Sequence, residues 1–313
     1  MRVLVTGAAG FLGQAVIAAL LDRGHEPVAF IREGGRLPRQ QVESAIGDVR
    51  DLESLRAVVQ SVDGVCHLAA LTRVRESFAG PLWYWRTNVL GTLNLLEVLG
   101  RKRPEPARLV LASTAAVYGT PETQPISEDA PIAPTNPYGA TKAAADLAAA
   151  NVAATGRLGA ISLRAFNIAG AVDGHPDRDF TRLIPKVLAV QAGLAEELGV
   201  NGDGTAVRDF VHVADMAHAF VLAIEACTPG EWRAYNVGSG RETSINDVLA
   251  AAEQITGRPV RIKRNPPANE PRVLLADSRR IREELGWQAP NSDLSQILSD
   301  GWKALTSAYA APE

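Results

Sequence analysis

Apolar residues in the first half of the chain fall into short runs separated by stretches of helical spacing. The runs Arg2–Thr6, Pro27–Ile31, Gly64–Leu68, Arg108–Ser113 and Gly159–Arg164 are rich in Val, Ile, Leu and Ala. Such runs, without a polar residue at every second place, fit strands buried on both faces. Between them lie Leu12–Arg23, Leu52–Ser61, Trp83–Leu99 and Tyr138–Thr155, which read as amphipathic helices. Strands alternating with helices predict a parallel sheet covered on both sides. After about residue 168 Gly and Pro become frequent, and helical patterns recur at Phe180–Gly193, Val213–Ala226, Ile245–Thr256 and Ser278–Leu285. The predicted organisation is a doubly wound domain over residues 1–168. A smaller α+β region over 169–313 packs on the sheet's carboxyl edge, with some chain returning to the sheet.

Composition narrows the class. The 313 residues are 46% hydrophobic, enough for a sizeable core. Lys and Arg number 32 against 35 Asp and Glu, so no basic excess calls for nucleic acid. No apolar run approaches the ~18 residues of a membrane span. The opening MRVLVTG enters a strand at once and carries no leader-like pattern, so a cytoplasmic protein is expected. Cys66 and Cys227 share no metal-type spacing and read as small buried hydrophobes; no metal is expected.

The first predicted strand runs into Gly7-Ala-Ala-Gly10-Phe11-Leu12-Gly13 and then a helix. One glycine permits the turn, one lets backbone approach a pyrophosphate, and the last allows close helix–strand packing. The helix start offers free N–H groups to the phosphates. This is a Rossmann-like dinucleotide site. An acidic residue at the end of the second strand ordinarily binds the ribose hydroxyls of NAD. Here Phe30-Ile31-Arg32-Glu33 puts Ile31 in that place, followed by Arg32. Arg32 could stack on adenine, pair with a 2′-phosphate with help from Arg36, or stand as a solvated loop charge. NAD is expected, with NADP left open. Asp48, in Gly47-Asp48-Val49, is a candidate partner for the adenine amino group. His67-Leu68-Ala69-Ala70 closes the third strand with small residues that let backbone lie against the cofactor. His67 itself reads as a packing residue.

Tyr138-Gly-Ala-Thr-Lys142 opens a helix after Pro134-Thr-Asn-Pro137, and its i, i+4 spacing puts phenol and ammonium on one face. A cation nearby favours phenolate, which can take a hydroxyl proton while the adjoining carbon gives up hydride. Ser113 and Thr114 end a strand at the edge where ligands bind in such folds. Thr114 is the candidate relay to the reacting oxygen.

These residues resemble the extended short-chain dehydrogenases, and within them the UDP-glucose 4-epimerases. The resemblance covers nearly the whole chain. It includes the glycine loop, Glu76-Ser-Phe, Thr87-Asn-Val-Leu-Gly-Thr92, Tyr118-Gly, Leu163-Arg-Ala-Phe-Asn-Ile-Ala-Gly170, Leu183-Ile-Pro185, Val207-Arg-Asp-Phe-Val-His-Val213 and Tyr235-Asn-Val-Gly-Ser-Gly240. It implies Tyr138 as base, Thr114 as relay and Lys142 as its partner, with C4 oxidised and reduced again through a 4-keto sugar. The cofactor-binding set comprises Gly7, Gly10, Phe11, Leu12, Gly13, Arg32, Asp48, Val49, Leu68, Ala69, Ala70, Asn88, Ser113 and Phe166, beside Tyr138 and Lys142. The nucleotide-sugar set is Thr114, Asn167, Arg182, Leu183, Asn201, Arg208 and Arg272, with Arg208 near phosphate. A homodimer is implied, formed by the helices Trp83–Leu99 and Tyr138–Thr155.

Departures from the family pattern sharpen this. Relatives that dehydrate or decarboxylate carry an acid beside the relay; here Ala115 and Ala116 stand there. A second phosphate-binding Arg is replaced in Pro266–Arg272, where Arg264 or Arg272 is a substitute. Arg73, Arg75 and Arg182 suit either an acidic sugar or solvent. Trp83, Tyr84 and Trp85 read as core. The rival functions are an NADPH-dependent nucleotide-4-keto-sugar reductase and a non-catalytic dinucleotide-binding regulator.

Overall fold

A computed structural model describes residues 1–35, 42–101, 105–267 and 271–309. Seven strands form the central sheet: β1 (Arg2–Thr6), β2 (Glu26–Ile31), β3 (Glu43–Ile46), β4 (Gly64–His67), β5 (Ala107–Thr114), β6 (Leu158–Ala165) and β7 (Trp232–Val237). Their spatial order is β3-β2-β1-β4-β5-β6-β7 and every pairing is parallel. The chain thus returns to the sheet at β7, beside β6. Reversal of direction between β1 and β4 opens a crevice at their carboxyl ends, where such sheets bind ligands.

Both sheet faces are dry. Val3 and Val5 pack with Val16, Leu20, Phe220 and Ile224 of helices α1 (Phe11–Asp22) and α5 (Val213–Ala226). Leu4 and Val28, on the opposite face, meet Leu55 of α2 (Leu52–Val59), Leu95 of α3 (Gly91–Leu99) and Ala149 of α4 (Pro137–Ala153). Apolar residues at successive positions of β1 therefore serve two cores, as its unbroken pattern predicts.

The C-terminal part builds a third core. Val187, Val248 and Ile297 join helices Leu183–Gln191, Ile245–Thr256 and Leu294–Tyr309 over the paired strands Leu198–Asn201 and Ile262–Asn265. Nearby, Val207–Arg208 lies between Thr243–Ser244 and Val273–Leu274.

Several elements differ from the sequence expectations. β3 is short and polar, so no apolar run announced it. The expected helix Trp83–Leu99 is three pieces: Pro81–Tyr84, a π-helical turn Trp85–Leu90, and α3. A further short helix, Val74–Ala79, precedes it. The helix expected from Phe180 starts at Leu183, because Asp177 and Asp179 accept the backbone N–H groups of Asp179 and Thr181 and hold a turn there. Of the three aromatics read as core, Tyr84 is buried but Trp83 and Trp85 are exposed.

Candidate active site

One cleft of about 2150 Å³ runs along the carboxyl edge of the sheet. It is lined by every proposed cofactor or nucleotide-sugar residue except Asn88. At one end stands the turn between β1 and α1. Gly7 has φ +69°, and a Cβ on Gly13 would lie 2.3 Å from the Gly7 carbonyl oxygen. A side chain at either place would clash, so these positions require glycine. Gly10 precedes α1 without a side-chain cap, leaving the first-turn N–H groups facing the cleft. The wall opposite is Leu68-Ala69-Ala70, pinned by Thr6, whose Oγ1 accepts the N–H groups of Leu68 and Ala69 at 3.1 Å each. This is backbone shaped to lie flat against a dinucleotide, and the residues present fit one.

Behind that wall sits a dry polar chain. His67 exchanges hydrogen bonds with Thr6 Oγ1 at 2.8 Å and Thr92 Oγ1 at 3.1 Å. Burial pushes its pKa down to about 3, with the charge of Lys142 adding to the shift. It is a neutral structural imidazole. Asn88 belongs to the same layer. Its carboxamide accepts from the Leu71 N–H at 2.8 Å and donates to the Leu71 oxygen and to Thr141 Oγ1, both at 3.0 Å. The π turn aims it there. Asn88 thus holds the cofactor-side loop from behind instead of facing the cleft.

At the sheet's edge, the end of β5 meets the start of α4. Asn136 caps this helix by accepting the Gly139 N–H at 2.8 Å, and Pro137 occupies its first turn. The cap fixes Tyr138 at the helix start. The Tyr138 ring packs edge-on against Tyr84, centroids 6.4 Å apart, and the Thr114 hydroxyl lies beside its phenol. Burial pushes the phenol up; the neighbouring Thr114 hydroxyl and the Arg182 charge oppose this. Lys142 follows one helical turn later, buried, with Nζ donating to the Ala112 oxygen at 2.8 Å. Burial draws its pKa down to about 8, against the pull of Asp146. Thr114 and Arg182 are the groups that oppose burial at the phenol, while Lys142 is held on the β5 backbone.

Ser113, expected on the cofactor side, lines the cleft but turns its hydroxyl to Asp146 at 3.0 Å. Asp146 also pairs with buried Arg164 at 3.3 Å, and Arg164 reaches the Tyr118 hydroxyl at 2.8 Å. Sequence reasoning passed over Asp146, although it lies on the same face as Tyr138 and Lys142 at i+8 and i+4. Asp209 was likewise passed over. It accepts from the N–H groups of Ser239, Gly240 and Ala276 at 2.7–3.0 Å and ties three segments together beside Arg208.

The far end of the cleft gathers Arg208, Arg264 and Arg272 together with Asn201. Arg208 donates to the Val207 and Pro271 oxygens at 2.8 and 3.0 Å. Both proposed substitutes for the second Arg reach this end. Residues 268–270 and Arg36 lie outside the described residues. Between the two ends, Arg182 pairs with buried Asp177 at 3.0 Å, and Arg73 with Glu76 and Asp179 at 2.6 and 3.2 Å. Ala115 and Ala116 line the cleft beside Thr114. Among the described residues no cluster of His, Cys, Asp and Glu could hold a metal. No described helix is long and apolar enough to cross a membrane.

The fold and cleft define a doubly wound dinucleotide-binding protein with a Thr, a Tyr and a Lys at the crevice. Residues 3–238 match the NAD dependent epimerase/dehydratase family, and the chain belongs to that family. It is 40% identical to a UDP-glucose 4-epimerase of Corynebacterium glutamicum over 98% of this chain and 96% of that one. Its structure resembles that of UDP-glucose-4-epimerase from Stenotrophomonas maltophila with bound NAD and formylated UDP-arabinopyranose. That match has a TM-score of 0.91 at 32% identity and covers all of both chains. The enzyme from Bifidobacterium longum in complex with NAD⁺ and UDP superposes with a TM-score of 0.90 at 30% identity, covering 98% of each chain.

Proposed function

We propose that this chain is a nucleotide-sugar 4-epimerase that takes a UDP-sugar and works with NAD held in the cleft. The carrying observation is the Tyr138–Thr114 hydroxyl pair, placed in the same cleft as the glycine turn. NAD bound along that turn supplies a reversible hydride acceptor for C4. Thr114 holds the sugar 4-oxygen against Tyr138, and Tyr138 takes its proton. Lys142 is anchored on the Ala112 oxygen, so its position is fixed relative to the cofactor side. After the 4-keto sugar turns over, Tyr138 returns its proton to the 4-oxygen while hydride would return from the reduced nicotinamide to the other face of C4. Ala115 and Ala116 offer no acid to divert the ketone, and the nearby carboxylates Glu76 and Asp179 are paired with Arg73. That argues against dehydration or decarboxylation.

Arg73 and Arg182 are matched by Glu76, Asp177 and Asp179. The sugar end has no cationic excess from these pairs, which favours a neutral hexose over a uronate. Arg208, Arg264 and Arg272 suit the diphosphate, since guanidinium forks match phosphate oxygens. In this reading, residues 1–168 hold the dinucleotide and 169–313 the nucleotide-sugar.

A homodimer and a cytoplasmic setting complete the proposal. Phe78, Leu82, Trp83, Trp85, Leu90 and Leu93 are exposed on the helical segment beside α4, which exposes Leu147. An apolar surface of this kind is a docking face. The buried thiols Cys66 and Cys227 are unpaired, which suits a reducing compartment.

The test is incubation with UDP-, dTDP- and GDP-sugars without added nicotinamide, followed by NMR. A UDP-hexose converting to its C4 epimer at constant mass is expected. Turnover only with stoichiometric consumption of NADPH would instead identify a keto-sugar reductase.

A further inference from the structure

The adenosine end of the cleft departs from what an NAD-restricted site requires. Selectivity against NADP ordinarily rests on a carboxylate at the end of the second strand, which accepts both ribose hydroxyls and repels a 2′-phosphate. β2 ends instead at Ile31, an apolar side chain lining the cleft. Arg32 comes next, exposed and also lining it. Its carbonyl accepts the Gly35 N–H at 2.9 Å and closes a turn against the glycine loop: a Cβ on Gly35 would lie 3.8 Å from that of Ala9. The guanidinium forms no hydrogen bond or ion pair among the described residues.

The other acid at this end is already neutralised. Arg50 grips Asp48 as a fork, with Nε on Oδ1 at 3.0 Å and a terminal nitrogen on Oδ2 at 2.6 Å. The backbone N–H of Arg50 adds a third bond at 2.9 Å. Arg50 holds the Asp48 carboxyl below its usual range, and the charge of Arg32 lowers it further. Arg32, Asp48 and Arg50 thus leave one net positive charge lining this end of the cleft. A phosphate monoester carries roughly −1.5 to −2 at neutral pH and seeks such a fork.

We infer that Arg32 forms a subsite for the 2′-phosphate of NADP(H), so that this protein accepts both nicotinamide dinucleotides at one site. The inference rests on the dinucleotide reading of the cleft, but not on the reaction. A cofactor that is oxidised and reduced within one turnover serves an epimerase in either form.

Equilibrium exchange tests it on the protein as purified. Wild type, Arg32→Ala and Ile31→Asp are dialysed to equilibrium against equimolar NAD and NADP. The bound nucleotides are then released by denaturation and quantified by mass spectrometry. Wild type is expected to carry both nucleotides. Each substitution should lower the bound NADP:NAD ratio about tenfold, the value of one charge-assisted contact. A wild-type ratio below about one in a hundred overturns the inference, as does a ratio that moves less than threefold in Arg32→Ala. Bound NAD without NADP leaves the dinucleotide site standing; binding of neither sinks both.

Discussion

The phenol of Tyr138, in the first turn of α4, stands beside the Thr114 hydroxyl at the end of β5. That hydroxyl and the Arg182 charge oppose the effect of burial on the phenol. In the proposed mechanism the pair acts as a unit: one hydroxyl orients the substrate oxygen and the other removes its proton.

Tyr138→Phe tests that division. The ring and its contact with Tyr84 survive, while the acid–base group is lost. Turnover should fall by at least about a hundredfold, in the range general-base catalysis ordinarily contributes. The bound dinucleotide, measured after denaturation, should be unchanged. Retention of more than a few per cent of activity removes Tyr138 as the base.

Arg208 stands at the opposite end of the cleft, oriented by the Val207 and Pro271 oxygens. It is far in role from the proton transfer. Arg208→Ala is expected to raise KM for the nucleotide-sugar about tenfold or more, the loss of a charged hydrogen bond, with kcat much less affected. An unchanged KM takes it out of the phosphate site.

His67 gives a pH signature independent of catalysis. Its folded pKa is about 3, below the ordinary value of about 6.5 in an unfolded chain. Between those values the unfolded chain binds a proton that the folded one refuses. The contribution to stability is thus intact above pH 6.5 and is lost as pH falls toward 3. Urea denaturation of wild type and His67→Gln should show their stability difference shrinking by about 2 kcal/mol from pH 7 to pH 5. A constant difference would mean that the imidazole titrates alike in the folded and the unfolded chain.

The apolar face on residues 78–93 and Leu147 predicts a dimer. Sedimentation should give twice the chain mass, and Leu90→Glu should shift the protein to monomer. A wild-type monomer at micromolar concentration would show that this face serves something else.

Much of this was legible in the residues themselves. β1 and β2 read as double-faced strands because Val3, Leu4 and Val5 are all apolar. The glycine turn declared itself because Gly13 admits no side chain. Tyr138 and Lys142 stood out by their spacing at a helix start downstream of the glycine loop. Other features lay beyond local pattern. Nothing in Trp85–Leu90 announces a π turn, which serves to aim Asn88 at the Leu71 backbone. The partners of Ser113 and Lys142 come from β5 and α4 meeting in space. The helix Leu294–Tyr309 was within reach, since Leu294, Ile297, Leu298 and Leu305 repeat at helical spacing.

The most direct measurement follows the hydrogen at C4. UDP-galactose deuterated at C4 is converted in ordinary water with no added nicotinamide, and the product is read by NMR. If the hydrogen leaves C4 to the bound cofactor and returns to the other face, the UDP-glucose formed keeps its deuterium. Product with C4 hydrogen drawn from water would contradict hydride shuttling and the role assigned to Tyr138.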